Sequence, residues 1–95
     1  MKTPPVGNSV FIEWEDSHGC GSGWRVLEPK ARLESVVIRS VGWITGRDKK
    51  SIRLHPNIAD RGDEEGKEFH GNGDMTIPLS AIRKCTILKV WSFSF

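Results

Sequence analysis

The sequence predicts an all-β protein, a small five-stranded barrel with one 3-10 turn before its last strand. Three observations carry that expectation. Val10, Ile12 and Trp14 alternate with Phe11, Glu13 and Glu15, the period of two that marks a half-buried strand. Residues 35–45 hold Val36, Val37, Ile38, Val41, Trp43 and Ile44, a run of β-branched and aromatic side chains that suit a pleated surface. Near the end, Pro78 halts the strand-like Met75–Thr76–Ile77 and a further β-prone run follows. No segment shows helical periodicity between caps.

Each element follows in chain order. Residues 1–8, with Pro4, Pro5, Gly7 and Asn8, read as a flexible leader, and the barrel domain is expected over 9–90. The first strand ends near Asp16. Residues 17–23 then hold three glycines, a loop whose backbone can take positive φ and approach a partner closely. Residues 24–28 fit a short strand or turn, stopped by Pro29. Residues 35–55 read as a β-hairpin around the polar turn 46–50, with Gly42 suggesting a bulge or bend. Residues 56–74, rich in Gly and charge, read as a long loop. Residues 79–82 fit a single 3-10 turn, and Cys85 and Ile87 continue the last strand. A strand halted by proline, a tight turn and a final strand is how SH3-like and Sm-like barrels finish. The tail, residues 91–95, alternates Trp91, Phe93 and Phe95 with serines.

Ninety-five residues make one domain, and a chain of that size buries roughly 60–70% of its unfolded surface. A single core is within reach, and a deep substrate cavity is not expected. The net charge of +2 is uneven. Residues 25–53 carry eight basic side chains against Glu28, Glu34 and Asp48, whereas residues 60–68 carry five acidic against two basic. A basic middle suits an anionic partner or plain solubility; its dispersal among apolar residues favours solubility. No apolar leader or long apolar run is present, so a soluble cytoplasmic protein with Cys20 and Cys85 as free thiols is expected.

No pattern of residues carries catalysis. His18 and Cys20 share a loop, but a zinc site draws on four ligands in closely spaced pairs, so no metal and no cofactor are expected. Cys20 among glycines lacks any nucleophile signature. The Gly19–Gly23 segment lacks the Gly-Lys-Ser/Thr ending of a phosphate loop. Trp14 and Trp43 fall in strand alternation and are expected in the core. Trp24 follows the glycine loop and is either a lid on the core or a stacking wall beside Arg25 and Arg47. The candidate partner-binding set is therefore Asp16, His18, Trp24, Arg25 and Arg47. Trp91, Phe93 and Phe95 would put three rings on one face. Either that stripe folds back over its own barrel or it holds a homodimer, and the dimer is expected.

The blocks Ile12–Glu13–Trp14–Glu15–Asp16, Gly23–Trp24, Ser40–Val41–Gly42–Trp43–Ile44, Ser51–Ile52–Arg53–Leu54 and Met75–Thr76–Ile77–Pro78 with Ile82 resemble a group of small phage- and prophage-encoded proteins. The resemblance spans roughly residues 10–88. It implies an SH3-like or Sm-like barrel made during infection, with no settled activity. The expected function is a non-catalytic phage accessory protein, acting in the host cytoplasm in host takeover or anti-defence. It would engage a host protein or sequester a small anionic ligand. A nucleic-acid-binding barrel using the basic region is the alternative, and a Cys-dependent enzyme ranks last.

Overall fold

A computed structural model describes residues 2–17, 22–60, 68–89 and 92–94. Among these residues, seven strands and one 3-10 turn follow in order: β1 (Ser9–Asp16), β2 (Val36–Arg47), β3 (Ser51–His55), β4 (Asn57–Asp60), β5 (Phe69–Asn72), β6 (Met75–Pro78), the turn Leu79–Ala81, and β7 (Ile82–Ile87). Five strands form one antiparallel sheet in the order β6-β3-β2-β1-β7, and β4 and β5 form a separate two-stranded sheet. The 56–74 segment, expected as loop, thus contains two strands. Both are short and polar, and β5 is exposed throughout, so neither shows the alternation by which a strand is recognised.

The five-stranded sheet curls but does not close. Laid flat, its edge strands would lie roughly 19 Å apart. The three-residue turn between β6 and β7 spans only about 8 Å in 3-10 geometry, so the two edges must converge at that end. Among the described residues, β6 pairs only with β3 and β7 only with β1. The five strands and the 3-10 turn expected of a small barrel are present as one antiparallel sheet, which among the described residues is curled and not closed. A closing ladder would need a tight hairpin around residues 78–82, where Pro78 has no N–H to give and the 3-10 turn splays the strands.

The enclosed face is the core. Val10 and Ile12 of β1, Ile44 of β2, Ile52 and Leu54 of β3, Ile77 of β6 and Ile82 of β7 are buried together, with Trp14, Leu79 and Cys85 packed against them. Every strand of the main sheet contributes, and the alternation read in β1 and β3 is the alternation observed. Asp48 shapes the β2–β3 turn: its carboxylate accepts the N–H groups of Lys50 (2.8 Å) and Ser51 (2.9 Å). Those charge-assisted bonds hold its pKa below the ordinary carboxylate value.

A second, smaller apolar cluster lies on the opposite face. Trp43 and His55 are cross-strand partners and alternate with the core residues Ile44 and Leu54, so both face away from the core. Phe93 meets Trp43 edge-on at 5.5 Å and Phe69 of β5 at 5.3 Å. Trp43, expected in the core, therefore packs in this outer layer. Residues 2–8, expected as a flexible leader, are docked. The Arg47 guanidinium donates to the carbonyls of Thr3 (2.7 Å) and Pro4 (3.2 Å), Gly7 N–H donates to Ile44, and Phe93 N–H donates to Gly7. Gly7 sits at φ 100°, and a Cβ there would overlap the Phe93 carbonyl, so only glycine serves.

Candidate functional site

β1 and β2 run on past the curled sheet as a two-stranded ribbon. Their pairing extends to Asp16↔Val36, whereas β3 leaves β2 at Trp43↔His55 and β7 leaves β1 at Trp14↔Ile82. The radius of gyration, 17.3 Å with extents of 61 × 28 × 23 Å, exceeds the roughly 12 Å of a compact domain this long. Polar pairs brace the ribbon. Arg39 meets Glu13 at 3.2 Å, Arg83 meets Glu15 at 3.3 Å, and the Ser35 hydroxyl donates to Glu15 at 3.0 Å. Trp14 Nε1 donates to Ser40 Oγ at 3.1 Å.

The ribbon's tip carries the most unusual surface of the molecule. Residues 22–35 have no strand or helix and are exposed throughout. Among them Trp24 is 102% exposed, Val26 83%, Leu27 88% and Leu33 96%. Single exposed apolar residues are ordinary, but four almost fully exposed within ten residues are not. Trp24 is therefore not a lid on the core.

The predicted site residues divide. Asp16 ends β1 at the base of the tip, where its carboxylate accepts Ser17 N–H at 2.8 Å. Trp24 and Arg25 lie in the tip itself. Arg47 closes the far end of β2, roughly 36 Å along the strand from Val36, and ties down Thr3 and Pro4, so it is not a neighbour of Trp24. His18 lies outside the described residues, as do Trp91 and Phe95; Phe93 is packed into its own chain. The basic side chains of residues 25–53 scatter too. Arg25, Lys30 and Arg32 are in the tip, Arg39 is on the ribbon, and Lys49 and Lys50 are in the β2–β3 turn. They form no single stripe.

One polar network joins residues outside the predicted site set. The register slips between Ile44 and Gly46, which makes Thr45 a bulge residue. Arg53 donates to the Thr45 carbonyl (2.8 Å) and hydroxyl (3.0 Å), so it satisfies a carbonyl that the bulge takes out of the ladder. Thr45 Oγ1 lies 2.6 Å from His55 Nδ1, and Asp74 lies 3.9 Å from His55 Nε2. Thr45, Arg53 and His55 wall a cleft of about 240 Å³ with Ile58, Phe69, His70 and Gly71. Gly71 is required for the close approach, since a Cβ would lie 2.5 Å from the His55 ring. Polar, β-branched and histidine residues at positions 45, 53 and 55 carry no motif; only the bulge brings them together.

Cys85 is half-buried on β7, and burial pushes its thiol pKa up, away from the thiolate a nucleophile uses. Cys20 lies outside the described residues. Among those described, no group of three or more His, Cys, Asp or Glu is placed to hold a metal ion, and no helix is long and apolar enough to cross a membrane. No family model, curated protein or solved structure matches the chain.

Proposed function

We propose that the protein acts by binding, without chemistry of its own, and that the tip of the β1–β2 ribbon engages a protein partner. The observation that carries this is the full exposure of Trp24, Val26, Leu27 and Leu33 within one ten-residue stretch. A partner that covers them gains roughly 1.5–3 kcal/mol for each side chain, before the costs of association. Trp and Arg are the side chains that most often anchor interfaces, and Trp24 and Arg25 are adjacent here.

The resemblance to phage and prophage proteins makes that partner a host protein and the setting the host cytoplasm, in a host-takeover or anti-defence role. The strand order, with the last strand returning beside the first after a 3-10 turn, supports kinship with SH3-like or Sm-like folds. A small anionic ligand draws less support: the two histidines of the Arg53 cleft each face a carboxylate, Asp74 at 3.9 Å and Glu68 at 3.7 Å.

The test is partner capture from nuclease-treated host lysate with the full chain and with Trp24→Ser/Leu27→Ser. The variant should melt like the parent and lose the captured protein. A variant that folds normally and retains full capture would refute the tip as the site. Retention that vanishes with nuclease and falls steeply with salt would point instead to nucleic acid.

A further inference from the structure

The shank of the ribbon has an open edge. From Val36 to Gly42, β2 is hydrogen-bonded on one side to β1. On its other side β3 begins only at Trp43, and among the described residues no other backbone group bonds to this stretch. The edge reads Val36-Val37-Ile38-Arg39-Ser40-Val41-Gly42. It is strongly β-prone and free of proline, and Val36 and Val41 are exposed. Its single charge, Arg39, is engaged by Glu13. Natural sheets blunt such edges with lysine, proline or a covering element; this edge holds no lysine or proline, and among the described residues only a side-chain contact from Ser40 to Met75 of β6 reaches it.

We infer that this edge pairs with the same edge of a second copy, antiparallel about a two-fold axis, to make one continuous sheet across the two copies. The sequence is complementary to itself in that arrangement. Around an axis at Ile38, Val36 faces Ser40 of the other copy, Val37 faces Arg39, and Ser35 faces Val41, so no like charges oppose each other. An isologous contact needs that property, because every residue meets the partner's version of the same patch. The two tips then leave the ribbon at opposite ends, each beside the other copy's β3. This interface is separate from the aromatic tail, whose Phe93 is spent on Trp43 and Phe69 of its own chain.

Sedimentation equilibrium of the full chain tests it, with an expected mass of twice the 10.7 kDa of one chain. Val36→Lys/Val41→Lys, at two exposed positions, should weaken the dimer at least tenfold with an unchanged melting curve. In a Cys20→Ser/Cys85→Ala background, Ile38→Cys should cross-link to itself on oxidation. Val36→Cys should link to Ser40→Cys in a mixture but not to itself. A chain that stays monomeric at millimolar concentration overturns the inference. So does a dimer that survives both lysines and forms none of these cross-links, since its contact lies elsewhere. Trp24→Ser/Leu27→Ser should leave the mass unchanged, so this pairing and the tip's role stand or fall separately.

Discussion

Gly42 is the residue on which the junction between ribbon and body depends, and replacing it with alanine should be costly although its φ is not positive. A Cβ built there would lie 2.6 Å from the His55 carbonyl oxygen, 3.0 Å from its carbon and 3.0 Å from Leu54 Cγ. Relief means moving β3 backbone by about 0.8 Å to reach an ordinary contact distance, and β3 is held on both sides, by β2 and β6. Overpacking of this kind costs about 1–3 kcal/mol, against which alanine regains at most about 1 kcal/mol by restricting the unfolded chain. The expected net loss is about 1–2 kcal/mol, or a melting temperature lower by roughly 5–15 °C for a domain this size. Two glycines serve as controls. At Gly46 the obstacle is the far end of the Arg53 side chain, which can move, and at Gly23 nothing lies within 4 Å. Both alanines should stay within about 0.5 kcal/mol of the parent in urea titrations. If Gly42→Ala matches them, the close approach of β2 and β3 is not what selects glycine.

The remaining expectations follow from burial and hydrogen bonding. Ile12→Ala, at a fully buried position between β2 and β7, should cost about 2–5 kcal/mol in urea unfolding. A loss below 1 kcal/mol would mean the enclosed face is not the core. Arg47→Ala should leave the main sheet intact and raise hydrogen exchange at Gly7 and Asn8, because it releases the carbonyls of Thr3 and Pro4. Unchanged protection there would contradict the docked segment. Asp48 has a folded pKa below its unfolded one, so its contribution is present above the ordinary carboxylate pKa and is lost as pH falls through the depressed value. Asp48→Asn should remove that part of the acid sensitivity, which is checked by comparing melting temperatures of the two proteins from neutral pH down to about pH 3.

The strands legible in the sequence are those with one face in the core. Val10 and Ile12 on β1, and Ile52 and Leu54 on β3, show through as period two because burial is all or none at those positions. Pro78 and the 3-10 turn were legible because proline acts locally, on its own φ and its missing N–H. β4 and β5 were not, since a two-stranded sheet lying on the outer face needs no apolar stripe. Trp43 shows the limit of the same rule: alternation says that a side chain shares a face with its neighbours, not which face is the core. Arg47 parts from the other candidate site residues for a related reason. Arg25 and Arg47 belong to one basic stretch of sequence, but a twelve-residue strand carries Arg47 to the far end of the molecule.

Where the structure is held together bears on where it can act. Among the described residues, the buried hydrophobic side chains lie in the curled body: Val10 and Ile12 on β1, Ile44 on β2, Ile52 and Leu54 on β3, Ile77 on β6 and Ile82 on β7. The ribbon beyond them rests on partly exposed ion pairs such as Arg39–Glu13 and Arg83–Glu15, each worth at most about 1 kcal/mol. The described residues of the tip form no strand or helix, and their backbone carries the turn bond from Ala31 N–H to Glu28. Local opening free energy should therefore fall from the body to the ribbon to the tip. A segment that folds only weakly on its own can be ordered by a partner, at an entropic cost that the burial of Trp24, Leu27 and Leu33 offsets in part. The same gradient explains why Trp24 can be fully exposed without weakening the fold: nothing in the body rests on it. Amide exchange of the protein alone would show the gradient directly. Protection at residues 24–33 equal to that of β1 would mean the tip is already ordered, and would undercut its reading as a segment that orders on a partner.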